Sequence, residues 1–220
     1  MDEIKAASAA SLTIYLMHKI LLITLCLGAF LGLNAVADRA TVGQAAPNFT
    51  LPGADDKPHS LSDYTGKYVV LEWTNPDCPF VHKFYDSGTM QALQKQWTGK
   101  GVVWLRVNSS ASGHEGYQDA STLAAYEKDN HVAATESLID ADGQVGHSYG
   151  ARTTPHMFVI DTKGTLIYAG GIDNKPSPNP ETIPGATNYV SQALDEAMAG
   201  KPVSKSTAQP YGCSVKYASN

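Results

Sequence analysis

The stretch YVVLEWTNPDCPFVHKFY, residues 68–85, decides the fold because it joins an apolar run to a cysteine and then to a proline. The nearly continuous apolar run Tyr68–Trp73 is typical of a strand that is covered on both faces of a sheet. Pro79 suits the first position of a helix, where its missing N–H costs nothing. Apolar residues then recur at helical spacing: Phe80, Val81, Phe84 and Tyr85. The stretch therefore predicts a strand, a tight junction at Cys78 and a helix.

Cys78 is the candidate reactive residue of this junction. A residue just before a helix meets unpaired backbone N–H groups and the positive end of the helix dipole, which stabilise a thiolate. A thiolate there would be both a nucleophile and a redox centre. The alternative is a small apolar side chain packed at a strand end. A Cys-x-x-Cys redox motif would have its second cysteine at position 81, where this chain has Val81.

The first 37 residues predict an export signal. A basic start, the apolar run Ile20–Leu33 and a small-residue cleavage site follow one another in the expected order. We expect a mature chain that begins at Asp38 and is exported, in a bacterium to the periplasm, without stable membrane insertion after cleavage. Two alternatives stay open, a true start at Met17 and an uncleaved membrane anchor.

Cleavage would remove Cys26 and leave Cys78 and Cys213 as the two cysteines of the mature chain. Two cysteines in an oxidising compartment are expected to meet. Their bond would be either a static crosslink or a working redox couple.

The remainder of the chain predicts one α/β domain over residues 38–200 and a tail over 201–220 that carries Cys213. Strands that are separated by helices pair in parallel, whereas a late hairpin must be antiparallel, so the sheet is expected to be mixed. The predicted elements are a short hairpin around 48–51 and 59–61, strands at 68–73, 101–107, 137–140, 156–161 and 165–170, and helices from 79, at 120–129, at 145–149 and at 189–198.

Composition and motifs exclude several functions. The net charge is −5 and no Lys/Arg run follows the pattern of a nucleic-acid surface, so nucleic acid is not an expected partner. Glycine spacings typical of nucleotide-binding loops do not occur, and no cofactor is predicted. A metal site formed by Cys78, His82 and Cys213 is a weak alternative, and our prediction is that no metal is bound.

Four further residues are candidates for the site: Glu72, Arg152, Thr154 and Pro155. Glu72 lies in the predicted buried strand, where burial should raise its pKa and let it move protons for thiol exchange. The alternative is a Glu72 that faces solvent or a basic partner. Arg152 lies three residues before Pro155 and could stabilise a thiolate or a polarised peroxide oxygen, or simply be exposed. Thr154-Pro155 suggests a proline that opens a strand, with a cis bond as one possibility.

Together these segments resemble the thioredoxin-like superfamily, in its redoxin or peroxiredoxin-like branch around alkyl hydroperoxide reductase and thiol-specific antioxidant proteins. The matching motifs are G-x-x-A-P-x-F-x-L at 43–51, L-x-D-x-x-G-K at 61–67 and Y-G-x-x-x-T-P-x-x-F-x-I-D at 149–161. The ending G-C-S-V-K-Y at 212–217 is similar to that of a bacterial subgroup that pairs it with a single C-P-[FY]-V site, here 78–81.

The resemblance implies a three-layer sandwich with a central mixed β-sheet, flanking helices, an N-terminal hairpin and an irregular C-terminal tail. It implies a cis proline facing Cys78, and substrate binding by Thr154, Pro155, Pro79 and Phe80. Glu72 falls where thioredoxins keep a buried acid. Leu71 and Asn75 depart from the family, because true peroxiredoxins have proline and threonine at these positions.

We therefore expect Cys213 to be the partner of Cys78. The segment between Gly200 and Cys213 reaches roughly 40 Å when it is extended, which is ample. In this hypothesis Cys78 attacks a peroxide, Cys213 resolves the resulting sulfenic acid, and an external thiol donor, a thioredoxin-like protein or a small thiol, reduces the disulfide. Alternatives are exchange with a disulfide substrate, and a non-enzymatic binding module or metal chaperone with a structural disulfide.

Overall fold

The computed structural model describes residues 39–218, so the predicted signal segment 1–37, with Cys26, lies outside the described residues. Within 39–218, every helix is too short or too polar to cross a membrane. The strands are β1 Thr50–Pro52, β2 Pro58–Ser60, β3 Val69–Trp73, β4 Val103–Asn108, β5 Glu136–Ile139, β6 Thr153–Thr154, β7 His156–Ile160, β8 Leu166–Gly170 and β9 Cys213–Ser214. The helices are α1 Pro79–Asp86, α2 Thr89–Thr98, α3 Ala120–Asp129, α4 Gln144–Tyr149 and α5 Tyr189–Met198, with short 3-10 helices at Leu61–Tyr64 and Pro180–Thr182.

The central sheet is mixed, with five strands in the order β5-β4-β3-β7-β8. Strands β3, β4 and β5 are parallel, whereas β7 pairs antiparallel with both β3 and β8. A separate antiparallel hairpin, β1–β2, precedes the sheet. This architecture confirms the predicted α/β thioredoxin-like sandwich with its N-terminal hairpin.

Strand β3 lies at the centre of the sheet and is buried along its whole length. Val70 belongs to the apolar cluster that contains Cys78 and the inner face of α1. Leu71 and Trp73 point to the other face, where they pack with Phe158 of β7. Both faces are therefore covered, which explains why the strand is nearly continuously apolar in sequence.

The junction after β3 has the predicted form. Cys78 is the N-cap of α1 with φ −84° and ψ 120°, and Pro79 is the first helical residue. Asn75 holds the turn, because its carbonyl accepts from the Cys78 N–H at 3.2 Å and its side-chain oxygen accepts from the Asp77 N–H at 2.8 Å. Gly88, with φ 74°, separates α1 from α2 and is the N-cap of α2.

The C-terminal tail contains one element that the sequence did not predict. Its residues Cys213 and Ser214 form β9, which pairs antiparallel with β6 so that Cys213 is opposite Thr154 and Ser214 is opposite Thr153. The Thr154–Pro155 bond, directly after β6, is cis. The tail thus returns to the segment that faces the start of α1.

Gly212 is required for this close approach, and replacing it by alanine tests how the tail is held. Its φ is 140°, and a Cβ at this position would lie 2.0 Å from the Thr154 carbonyl oxygen. We expect Gly212→Ala to lower the free energy of unfolding by about 1–3 kcal/mol and to make the tail more sensitive to proteolysis. Denaturant unfolding and limited proteolysis measure the two effects.

The matched control for Gly212→Ala is Gly164→Ala. Gly164 also has a positive φ, 82°, but a Cβ there would meet nothing within 4 Å. Equal losses of stability, with equal proteolysis of the tail, would show that the contact with Thr154 does not hold the tail in place.

Candidate active site

The two cysteines of the described chain lie side by side. Cys78 is 2% exposed, and its Sγ donates a hydrogen bond to the Thr154 carbonyl oxygen at 3.0 Å. Cys213 is partly buried and packs against the apolar cluster that contains Cys78. Both thiols are free in this structure.

Backbone contacts of the tail position Cys213. The Val215 N–H donates to the Arg152 carbonyl at 3.1 Å, and the Lys216 carbonyl accepts from the Ala111 N–H at 2.9 Å. Thr154 contributes on both sides, because its carbonyl binds the Cys78 thiol while its backbone is opposite Cys213 in the β6–β9 pair. The two cysteines therefore share one short piece of backbone, although they are far apart in sequence.

The surroundings of Cys213 favour its protonated form. Burial, a hydrogen bond with Cys78 and the negative charge of Cys78 raise the pKa of Cys213 to about 11. The positive charge of Lys216 acts in the opposite direction. The two thiols are thus electrostatically linked, and the protonation of Cys213 depends on the charge on Cys78.

Lys216 is the cation that the structure brings to this pair of thiols, and sequence reasoning missed it. Its Nζ lies 3.0 Å from a Glu115 carboxylate oxygen, and this ion pair, followed by the charges of Cys213 and Cys78, raises the pKa of Lys216. The available signal was its place three residues after Cys213 in the ending G-C-S-V-K-Y.

Glu72 is completely buried, so the alternative in which it faces solvent is wrong. Its carboxylate accepts hydrogen bonds from the Tyr85 hydroxyl at 2.8 Å, the Gln94 amide at 3.1 Å and the Trp104 indole N–H at 2.7 Å. Burial raises the pKa of Glu72, as predicted, and the nearby Arg106 opposes the rise. Its hydrogen bonds within 39–218 go to these three side chains and to neither thiol, so its part in proton transfer stays a prediction.

Arg106 is a second residue that sequence reasoning missed. It lies beside Glu72 in the parallel β3–β4 register and is completely buried. Its guanidinium carbon is 5.2 Å from the Tyr85 ring centre and 5.0 Å from that of Tyr126, and Nη1 donates to Ser137 at 2.9 Å. The positive charge of Arg106 works against the rise in the pKa of Glu72. The signal was a single arginine inside the apolar run of the second buried strand.

Arg152 is exposed and does not join the thiols. Its side chain lines an open cavity of about 920 Å³ together with His156, Tyr149 and Tyr217, and neither cysteine lines that cavity. Burial and the charge of Arg152 lower the pKa of His156 to about 3. The predicted role of Arg152 at a Cys78-bound oxygen stays a prediction, while the Arg152 backbone helps to hold the tail.

The residues predicted to bind substrate lie around the cysteine pair. Thr154 and Pro155 are buried at the cis bond, and Pro79 is exposed at the start of α1. Phe80 is half-buried, and its ring centre is 6.0 Å from that of Tyr211 in the tail. These positions are compatible with the predicted role, which stays a prediction.

The geometry of the described residues does not support a metal site formed by Cys78, His82 and Cys213. The His82 side chain is 48% exposed, and its Nδ1 lies 3.3 Å from a carboxylate oxygen of Asp86. Among residues 39–218, the grouping with converging ligand atoms is Asp55, His59 and Glu136, and Lys57 already pairs with Asp55 at 3.0 Å. Neither cysteine belongs to that grouping.

Comparisons with known proteins concern the family and the fold of the chain. A family model described as the AhpC/TSA family matches residues 42–169. The chain is 27% identical over 156 residues to the thiol-disulfide oxidoreductase ResA of Geobacillus thermodenitrificans, covering 67% of this chain and 80% of the relative. It is 30% identical over 132 residues to a Coxiella burnetii protein assigned as peroxiredoxin bcp, covering 57% of this chain and 84% of the relative. The crystal structure of a hypothetical protein from Sinorhizobium meliloti, 23% identical, has the same fold, with a TM-score of 0.72 over 83% of this chain and 98% of that chain.

The raised pKa of Glu72 predicts a particular pH dependence of stability. Above its ordinary value of 4.5, the folded chain retains this proton more than the unfolded chain does. The stability contribution of Glu72 is therefore present at low pH and is lost as the pH rises through the raised pKa. We expect the unfolding free energy of the wild type, measured relative to Glu72→Gln by urea unfolding, to fall as the pH rises above about 4.5.

The control for this series is Glu181→Gln, at an exposed glutamate in a 3-10 helix. The pH profile of Glu72→Gln is read against that of this surface variant. A difference between wild type and Glu72→Gln that is level, or that rises with pH, would contradict the assigned direction.

Proposed function

We propose that this chain, which belongs to the AhpC/TSA family and is a thiol-dependent oxidoreductase, reduces peroxides through a cycle of the Cys78 and Cys213 thiols. The observation that carries the proposal is the placement of Cys213 beside Cys78, which is itself only 2% exposed. A small oxidant can reach such a thiol more readily than a folded protein can. The partner thiol is already in place when oxidation occurs.

The first step is attack of the Cys78 thiolate on a peroxide oxygen. The S–O bond forms as the O–O bond breaks, Cys78 becomes a sulfenic acid, and the leaving alkoxide or hydroxide takes a proton. The start of α1 supports this step, because Cys78 is the N-cap and the positive end of the helix dipole favours a negative charge there. Lys216 adds a positive charge near the same sulfur.

The second step is attack of Cys213 on the Cys78 sulfur, which forms the disulfide and releases water. When Cys78 is a thiolate, its negative charge raises the pKa of Cys213. A sulfenic acid carries no such charge, so two of the causes that raise the pKa of Cys213 weaken after the first step, and Lys216 still opposes burial. Oxidation of Cys78 would thereby activate the thiol that resolves it.

The third step returns two electrons from an external dithiol. A thiolate of the donor attacks the Cys78–Cys213 disulfide and forms a mixed disulfide with the protein. A second thiol of the donor then displaces the protein, which leaves both cysteines reduced. Cys213 is the more exposed of the two sulfurs and is the one that we expect the donor to attack.

Thiol-disulfide exchange is the second candidate function. Two observations favour it, the similarity to the protein named ResA and the position of Arg152 away from Cys78. Leu71 and Asn75 also replace the proline and threonine of true peroxiredoxins. In this case Cys78 would attack a substrate disulfide in place of a peroxide, and Cys213 would release the mixed disulfide.

Peroxide oxidation of cysteine variants tests the proposal. In a Cys26→Ser background, we expect the wild-type pair to consume one peroxide per molecule and to form a Cys78–Cys213 disulfide, far faster than free cysteine reacts. Cys213→Ser should react with peroxide at a similar rate but stop at the sulfenic acid or at higher oxides of Cys78. Cys78→Ser should lose the fast reaction. Stopped-flow peroxide consumption and peptide mass mapping are the measurements.

The same assay separates the two candidates. Oxidation by peroxide at the rate of free cysteine, combined with fast oxidation by a small disulfide, would reject the peroxidase function and favour exchange. Slow reaction with both oxidants would reject both.

Export is a separate part of the proposal and rests on residues 1–37, outside the described part of the chain. Expression of the full chain in a Gram-negative bacterium, followed by osmotic-shock fractionation and N-terminal sequencing, tests it. We expect a periplasmic protein that begins at Asp38. Recovery of an uncleaved chain in the membrane or cytoplasmic fraction would contradict this part alone.

A further inference from the structure

Tyr211 connects the tail to the helix that carries Cys78. It lies two residues before Cys213, and its ring meets the edge of Phe80, two residues after Cys78, with ring centres 6.0 Å apart. Gly171 lies against the same ring, since a Cβ there would be 3.3 Å from it. The segments that carry the two cysteines are therefore in direct contact through one pair of aromatic rings.

The hydroxyl of Tyr211 reaches a buried carboxylate. It donates a hydrogen bond to Oδ1 of Asp173, which also accepts from the Lys175 N–H at 2.7 Å. The other oxygen of Asp173 is 3.8 Å from Nζ of Lys83, in a pair whose side chains are 0% and 3% exposed. A phenol, a carboxylate and an ammonium group thus form one buried, charge-balanced cluster, which we call the latch.

Lys83 attaches the latch to α1. Its Nζ donates to the Lys175 carbonyl at 3.1 Å and lies 4.7 Å from the Phe84 ring centre. Lys83 is on the same helix as the Cys78 cap, one turn further along. The latch therefore joins three segments, the helix after Cys78, the loop after β8 and the tail before Cys213.

Burial of these charges is costly unless ion pairing and hydrogen bonds compensate for the lost solvation. Burial lowers the pKa of Lys83, while Asp173 acts against that change. The Cys78–Cys213 pair gains from the arrangement because ring closure between two thiols depends steeply on how often they meet.

We propose that Lys83, Asp173 and Tyr211 are positioning residues, which hold Cys213 against Cys78 and so set the rate at which the disulfide closes. This inference rests on the Cys78–Cys213 cycle described above. It does not depend on which oxidant starts that cycle, because the latch contacts the tail and not the oxidant.

Tyr211→Phe is the sharpest variant for the test. It keeps the ring against Phe80 and removes only the hydroxyl, while Asp173 retains Lys83 and the Lys175 N–H. Replacing Lys83 or Asp173 would leave a buried charge without its partner and endanger folding. Tyr117→Phe is the matched control, at an exposed tyrosine whose hydroxyl makes no hydrogen bond within residues 39–218.

The assay uses one equivalent of 5,5′-dithiobis(2-nitrobenzoate) with the reduced protein in the Cys26→Ser background. One cysteine thiolate attacks the reagent, forms a mixed disulfide and releases one thionitrobenzoate. The other cysteine then displaces the second thionitrobenzoate and closes the protein disulfide. The two thiols supply two electrons to one reagent molecule, and the second phase reports ring closure alone. Cys213→Ser should show only the first phase.

We expect Tyr211→Phe to slow the second phase about tenfold and to leave the rate of the first phase within about twofold. The reason is that a hydrogen bond to a charged group changes an equilibrium constant by about one to two powers of ten. Tyr117→Phe should match the wild type in both phases. An unchanged second phase in Tyr211→Phe would overturn the latch, as would equal slowing of both phases or the same slowing in Tyr117→Phe. Failure of the peroxide assay with a slowed second phase would reject the peroxidase function and leave the latch standing.

Discussion

The short pairing between Thr154 and Cys213 is the contact on which the rest of this site depends. Thr154 offers its carbonyl to the Cys78 thiol and is opposite Cys213 in the β6–β9 register. One residue therefore sets the position of both sulfurs. This residue lies two residues before β7 of the central sheet and directly before the cis bond, and the Cys78 thiol at the start of α1 contacts its carbonyl. Neither thiol would have a partner without that juxtaposition.

Local signals were sufficient to predict most of the fold. The helices Ala120–Asp129 and Tyr189–Met198 have the predicted bounds because side chains at their starts, Asp119 and Asn188, accept from backbone N–H groups of the first turn. The start of α1 at Pro79 and the buried strand before it also follow from residues next to them in sequence. The partnership of Cys78 with Cys213 was predictable by a different route, from the small number of cysteines and the family's ending motif.

What the sequence did not predict depends on contacts between distant segments. Strand β9 has two residues and no periodicity, so nothing in 213–214 alone indicates pairing. Asp173 lies about 90 residues after Lys83 and 38 residues before Tyr211 in sequence. Only the folded chain shows that the three residues meet. Arg152 illustrates the opposite case. Its distance from Pro155 in sequence suggested a role at the sulfur, but the β6–β9 pairing directs the chain so that its backbone, and not its guanidinium, serves the tail.

The length of the β6–β9 ladder affects how reliably Cys213 is aligned with Cys78. Pro155 has no N–H, so the ladder cannot extend past Thr154 in that direction, and only two residues on each strand define the alignment. A slip by one residue would turn the thiol to the opposite face and place Gly212 or Ser214 over Cys78. Gly212 has no side chain and the hydroxyl of Ser214 cannot form a disulfide, so a misaligned tail could not close a disulfide with Cys78. The alignment of these two backbone segments thus also determines whether Cys213 can form a disulfide with Cys78.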